Sequence, residues 1–161
     1  MNSLVYLRPL KIEDAQISFK WRNDPSIWVY TGFVPNKKVT AKIEKKWLAM
    51  VLNKVDELRM AICINETNEY IGNVQLRNIN IDSAEFEVFI GEKKCWRKGI
   101  GYEVTMKMLK IAFFELKLLS VFLYVHPDNI GALECYKRAG FEFSSRNELV
   151  KMVASSAKFT I

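Results

Sequence analysis

A mixed α/β sheet of about six to seven strands, mainly antiparallel and flanked by about four helices (the α+β type), is the fold this chain predicts. Three observations carry that prediction. Short apolar runs of strand length fill the middle of the chain, helical spacing recurs in four separate places, and the two patterns follow one another as βααβββαβαββ rather than as strict βαβ alternation. Half of the 161 residues are apolar and 26% are charged, the make-up of one globular domain over residues 1–161 with a substantial core.

Leu4 to Leu7 reads as an opening strand that stops at Arg8-Pro9, because proline lacks a ladder donor and restricts the residue before it. Ile12, Ala15, Phe19 and Trp21 approximate a helical stripe that ends at Asn23-Asp24-Pro25. Ser26 to Val39 mixes Trp28, Tyr30 and Phe33 with the breakers Gly32 and Pro35, which suits a substrate-facing loop. Thr40 then caps a helix running to about Asn53, with Ile43, Trp47, Leu48 and Val51 on one face.

Leu58 to Ile64 and Tyr70 to Arg77 flank the turn Asn65-Glu66-Thr67-Asn68 and form a hairpin, and Ala84 to Ile90 follows as a third antiparallel strand. In that strand Phe86 and Val88 alternate with Glu85, Glu87 and Phe89, so the two glutamates share a face. Ile100 to about Leu116 is an amphipathic helix, and Ser120 to Val125 is a buried strand. A last helix follows Asn129 and ends at Gly140, with closing strands at Phe141 to Phe143 and Leu149 to Val153.

Composition narrows the function. Cys63, Cys95 and Cys135 are odd in number and widely spaced, with His126 as the one imidazole, so neither a disulfide framework nor a metal site is expected. No basic-then-apolar leader is visible, and Glu115, Lys117 and Ser120 interrupt the most apolar stretch, so the expected location is the cytoplasm, with no membrane partner. The net charge of +6 would suit a nucleic acid, an anionic cofactor or a sugar nucleotide. The lysines are scattered and no aromatic-basic ribonucleoprotein pattern accompanies them, so no nucleic-acid partner is expected.

Trp96-Arg97-Lys98-Gly99-Ile100-Gly101-Tyr102 lies between a strand and a helix, where glycines let backbone amides approach an anion at the positive end of the helix. Arg97 and Lys98 add full charges there, which suits a diphosphate. The turn alone is equally a tight connection with no ligand. A dinucleotide fingerprint would need a small residue where Val104 stands, and the phosphate-loop Gly-Lys-Ser/Thr is absent.

About thirty residues on, Asn129, Ala132, Tyr136, Gly140 and Phe141 resemble the Asn-x-x-Ala-x-x-x-Tyr-x-x-x-Gly-Phe signature of GNAT acetyltransferases, as Gly99-Ile100-Gly101 resembles that family's Gly-x-Gly turn. Leu7-Arg8-Pro9-Leu10 with Glu13-Asp14-Ala15, Tyr70-Ile71-Gly72 and Ala84-Glu85-Phe86 look like the branch that contains ribosomal-protein and spermidine acetyltransferases, where tryptophan often stands at the Trp96 position. An indole there cannot supply the usual side-chain hydrogen bond of the first motif position.

The resemblance implies an acyltransferase that uses acetyl-CoA as cosubstrate and transfers acetyl directly from the thioester to an amine. It implies cofactor contacts from Arg97, Lys98, Gly99, Ile100, Gly101, Tyr102 and Asn129, with the strand through Phe89 and Ile90 pairing its backbone with the pantetheine arm. Tyr136 matches the tyrosine that protonates the departing thiolate; without that register it reads as a core residue. Glu85 and Glu87 are the candidates for collecting the amine proton, through water, although two glutamates on one strand face also describe a solvated surface.

The acceptor is a small-molecule or peptide amine. Trp21-Arg22-Asn23-Asp24-Pro25 resembles a segment of relatives that acetylate nucleotide-linked amino sugars, and Trp21, Arg22, Trp28 and Tyr30 become the candidate acceptor contacts. Trp21 filling the core and Arg22 pairing locally is the plainer alternative. An N-terminal peptide amine and a polyamine are rival acceptors, and a catalytically silent acyl-CoA-binding module is the rival of another class. Similar proteins are often dimers, so a homodimer is a possible assembly.

Overall fold

The two periodicities become layers around a single twisted sheet in the computed structural model, which describes residues 2–161. In chain order the elements are β1 (Val5–Pro9), α1 (Ala15–Arg22), α2 (Ala41–Val51), β2 (Leu58–Ile64), β3 (Tyr70–Arg77), β4 (Ser83–Ile90), α3 (Ile100–Lys110), β5 (Ser120–Val125), α4 (Ile130–Arg138), β6 (Glu142–Arg146) and β7 (Val150–Ser155). The seven strands lie in the order β1-β2-β3-β4-β5-β7-β6. Every neighbouring pair is antiparallel except β4 and β5, which run parallel. The expected α/β class with a mixed, mainly antiparallel sheet and four helices is what the chain adopts.

Alternation along the strands sends side chains to two cores. On one face Val74, Leu76, Phe86, Val121, Leu123 and Met152 pack with α3; on the other, Ala61, Cys63 and Tyr70 pack with Trp21 of α1 and Leu48 of α2. Fully burying a side chain such as Leu48 or Phe86 contributes about 1.5–3 kcal/mol.

Several boundaries depart from the sequence expectation, and four of the departures have a local physical cause. β1 continues through Pro9, which pairs with Met60. The Leu10 amide reaches the Arg59 carbonyl at 3.1 Å, so the pleat turns the proline nitrogen toward the open sheet edge, where no donor is missed. The first helix begins as a 3₁₀ turn over Ile12–Asp14 before α1 proper. The third widens after Lys110 into a π-turn over Ile111–Glu115, where the Leu116 amide bonds the Ile111 carbonyl. At the end of α4, Gly140 takes a φ of 102° and the Phe141 amide folds back onto the Tyr136 carbonyl at 3.0 Å. That closure draws Phe141 into the core, so β6 starts one residue later than expected.

Candidate active site

The parallel pairing of β4 with β5 covers only Ser83 to Glu85, opposite Ser120 to Phe122. Beyond it β4 stays on β3 as far as Ile90 while β5 leaves, and the sheet opens. Phe86 packs in this region against Tyr136 and Phe141, with ring centroids 6.1 Å away in each case. The Gly91 amide bonds the Ile71 carbonyl at 2.7 Å, and because amides alternate along a strand, Val88 and Ile90 turn theirs away from β3, toward the opening. Val88 and Ile90 thus present an edge that β5 does not pair.

Two clefts meet at this edge. One, of 460 Å³, lies on the α3/α4 side; the other, of 620 Å³, lies on the α1/α2 side. Val88, Phe89, Ile90, Trp96, Asn129 and Tyr136 line both.

The floor of the first cleft is the glycine turn. Gly99 sits at φ 81°, the left-handed conformation that glycine adopts without strain, and starts α3 with its first amides directed at the cleft. Arg97, also left-handed at φ 58°, reaches this lining, as does Arg138 of α4, whose guanidinium lies 4.4 Å from the Tyr102 ring centre. Unpaired strand amides, a helix N-terminus and two cations fit a long molecule with a peptide-like arm and a phosphorylated end. The Trp96 indole is engaged inside the protein, donating to the Ile90 carbonyl at 2.8 Å. Lys98 is exposed and outside the lining.

Tyr136 stands where the clefts join, and its ring meets Phe141 at 5.8 Å. Burial, with a smaller contribution from Cys135, pushes its phenol well above the ordinary tyrosine value, so it holds its proton at neutral pH. Asn129 caps α4, its side chain accepting the Ala132 amide at 3.3 Å, and also lines both clefts.

The second cleft sets a band of charged and amide side chains against an aromatic and aliphatic wall. Glu87 faces it and accepts from Arg77 at 2.6 Å and from Gln75 at 2.9 Å. Glu85 lies on the same strand face but one turn of the pleat away, still paired with β5; it accepts from Asn78 and lines neither cleft. Asn73 accepts from the Tyr70 phenol, and burial keeps that phenol protonated, which leaves the Asn73 Nδ2 without a partner among the described residues.

Arg22, Trp28 and Tyr30 line this cleft, whereas Trp21 does not. Trp21 is a core residue: its ring packs flat against Gly91, and its indole donates to Glu92 at 3.0 Å. Trp28 is itself largely buried, bonded through its indole to the Trp21 carbonyl, while Tyr30 is exposed at the mouth beside His126.

Arg59, Arg77, Lys54 and Trp47 complete this wall; Trp47 was expected only on the packed face of its helix, and none of the four was a site candidate from the sequence. A signal existed: Asn73, Gln75 and Arg77 stand at alternate positions of a strand whose other residues are apolar and buried. Burial opposes ionisation of Glu57 behind this wall, but hydrogen bonds from Arg59 and Lys54 outweigh it and hold the carboxyl below the usual range. Among the described residues no cluster of His, Cys, Asp or Glu could hold a metal ion, and no helix is long and apolar enough to cross a membrane.

The family model described as an acetyltransferase (GNAT) domain matches residues 5–142. The chain belongs to the GNAT acetyltransferase family. It is therefore an acyltransferase whose cosubstrate is acetyl-CoA, and the first cleft has the chemistry to hold it. Acetyltransferase PseH of Campylobacter jejuni (strain 81-176) is 27% identical over 141 residues, 88% of this chain and 85% of that protein. The probable N-acetyltransferase YjcK of Bacillus subtilis is 28% identical over 151 residues, 85% and 80% of the two chains. Among solved structures, the spermidine N-acetyltransferase of Vibrio cholerae in complex with CoA and spermine superposes with a TM-score of 0.87 at 23% identity, covering 98% of each chain, which shows that the two share this GNAT fold.

Proposed function

We propose that this GNAT enzyme acetylates the amine of a nucleotide-linked amino sugar, and the charge of the second cleft is the observation that carries the proposal. Arg22, Lys54, Arg59 and Arg77 line it against a single carboxylate, Glu87. Even with the supporting Glu44 and Glu57 included, one positive charge is left over. Such a surface attracts a phosphorylated acceptor and repels a polyamine, which would enter with several ammonium groups.

Acetyl-CoA supplies an activated acetyl thioester. Val88 and Ile90 hold the pantetheine arm along the β4 edge, and the Val88 amide polarises the thioester carbonyl. The α3 N-terminus, with Arg97 and Arg138, holds the phosphates. Glu87 collects the amine proton through a water, because Arg77 and Gln75 fix its carboxylate facing the acceptor. As the new C–N bond forms and the C–S bond breaks, Tyr136 gives its proton to the thiolate from the junction of the clefts. Glu85, Trp21 and Lys98 have no part in this scheme, since none lines a cleft.

Free-thiol release from acetyl-CoA, measured with an amino-sugar nucleotide, an N-terminal peptide and spermidine at equal concentration, tests the acceptor. The amino-sugar nucleotide is expected to give the highest kcat/KM. A preference for spermidine would contradict the reading of the cleft.

A further inference from the structure

Two guanidinium groups in the acceptor cleft take no part in the transfer chemistry, yet both are built in with care. Arg22 and Arg59 lie 4.6 and 5.2 Å from the same Trp47 ring centre. Trp28 and Phe89 approach the Arg22 guanidinium as well, at 5.1 and 5.5 Å. The Arg59 side chain is 8% exposed and that of Arg22 is 14% exposed. Each is neutralised by a nearly fully buried carboxylate that meets the guanidinium at Nε alone: Glu44 at 3.3 Å from Arg22 and Glu57 at 2.7 Å from Arg59. Among the described residues the Nη groups of both arginines make no hydrogen bond, and both residues line the cleft.

The arrangement differs from a pair of ordinary ion pairs. An arginine that exists to neutralise a buried acid presents its planar fork, two nitrogens to two oxygens. Here the acids fix the side chains through Nε, the aromatic rings hold the guanidinium planes, and the paired Nη donors are left for something in the cleft. The four Nη groups of two planar cations held on one indole suit the oxygens of a diphosphate.

Position adds to this. Arg59 is opposite Gln75 on β3, and Gln75 is opposite Glu87 on β4, so the three occupy one row across the sheet. Two interstrand steps put the Arg59 backbone roughly 10 Å from that of Glu87. An acceptor with its amine beside Glu87 and its diphosphate against Arg59 would lie across this row on one face of the sheet.

We infer that Arg22 and Arg59, gathered around Trp47, form the subsite that binds the diphosphate of a nucleoside-diphosphate-linked acceptor. The inference rests on the acceptor reading above and specifies the groups that would recognise it. Removing either arginine outright would strand a buried carboxylate, so charge-conserving variants are the proper test. Arg22→Lys and Arg59→Lys keep the charge and lose the fork.

The experiment is calorimetric titration of uridine diphosphate into the full chain saturated with CoA, with acetyl-CoA affinity measured separately as the control for folding. Each lysine variant is expected to weaken uridine diphosphate binding about tenfold or more while acetyl-CoA affinity stays within about twofold. Absence of binding to the wild-type chain, or unchanged binding in both variants with normal acetyl-CoA affinity, would overturn the subsite. The acceptor reading has its own readout. Turnover of an amino-sugar nucleotide at an undiminished rate in both variants sinks the subsite and leaves that reading standing. Weakened uridine diphosphate binding with no amino-sugar nucleotide turned over supports the subsite and sinks the reading.

Discussion

At the residue scale the proposed chemistry centres on Tyr136, which among the described residues is the one hydroxyl that lines both clefts and is kept protonated by burial. Tyr136→Phe removes the proton donor while keeping the ring that packs on Phe86 and Phe141, so kcat is expected to fall about 10²-fold with little change in acetyl-CoA affinity. A steady-state comparison checks this. The sign of the pKa shift adds a second expectation. A phenol raised above its ordinary value of ~10 keeps its proton throughout the neutral and mildly alkaline range. The wild-type kcat profile should therefore show no loss from this group up to about pH 9; a falling limb near pH 8 that disappears in the phenylalanine variant would keep the donor role but contradict the upward shift.

Tyr136 and Asn129 could be named from the sequence because they sit in a motif of fixed spacing. Arg59 and Trp47 could not: they lie on different elements and meet only through strand register and the packing of α2 on the sheet. Trp21 went the other way, an aromatic beside Arg22 in the chain whose ring the helix turns into the core.

At the scale of elements, the position of β4 decides the cofactor edge, and Gly91 and Trp21 help to fix it. A Cβ at Gly91 would lie 2.0 Å from the Trp21 ring, a distance that forces the indole or the end of β4 to move. Gly91→Ala is expected to cost about 1–3 kcal/mol in denaturant unfolding and to weaken acetyl-CoA binding, since Ile90 and its free amide adjoin the strained position. Unchanged stability would mean that the tryptophan repacks freely. Strand identities were legible because alternation and turn residues agree over β2, β3 and β5. The ends were less so, where a proline at an open edge and a π-turn depend on neighbours outside the local pattern.

For the whole molecule, the central feature is a sheet that comes apart in the middle. β4 and β5 pair for three residues and then diverge, so that two clefts reach the same strand edge from opposite faces, as the proposed approach of cofactor and acceptor requires. The order of helices and strands predicted the mixed sheet, but no periodicity marks where two strands stop pairing. Only the functional resemblance pointed to Phe89 and Ile90.

Backbone amide chemical shifts of isotopically labelled protein, recorded with and without CoA, test this arrangement most directly. The largest changes are expected at Val88, Ile90, Gly101 and Tyr102, while Glu85, where β4 is still paired, stays nearly unperturbed. Saturating shifts confined to the α1/α2 face, with Val88 and Ile90 unmoved, would contradict it.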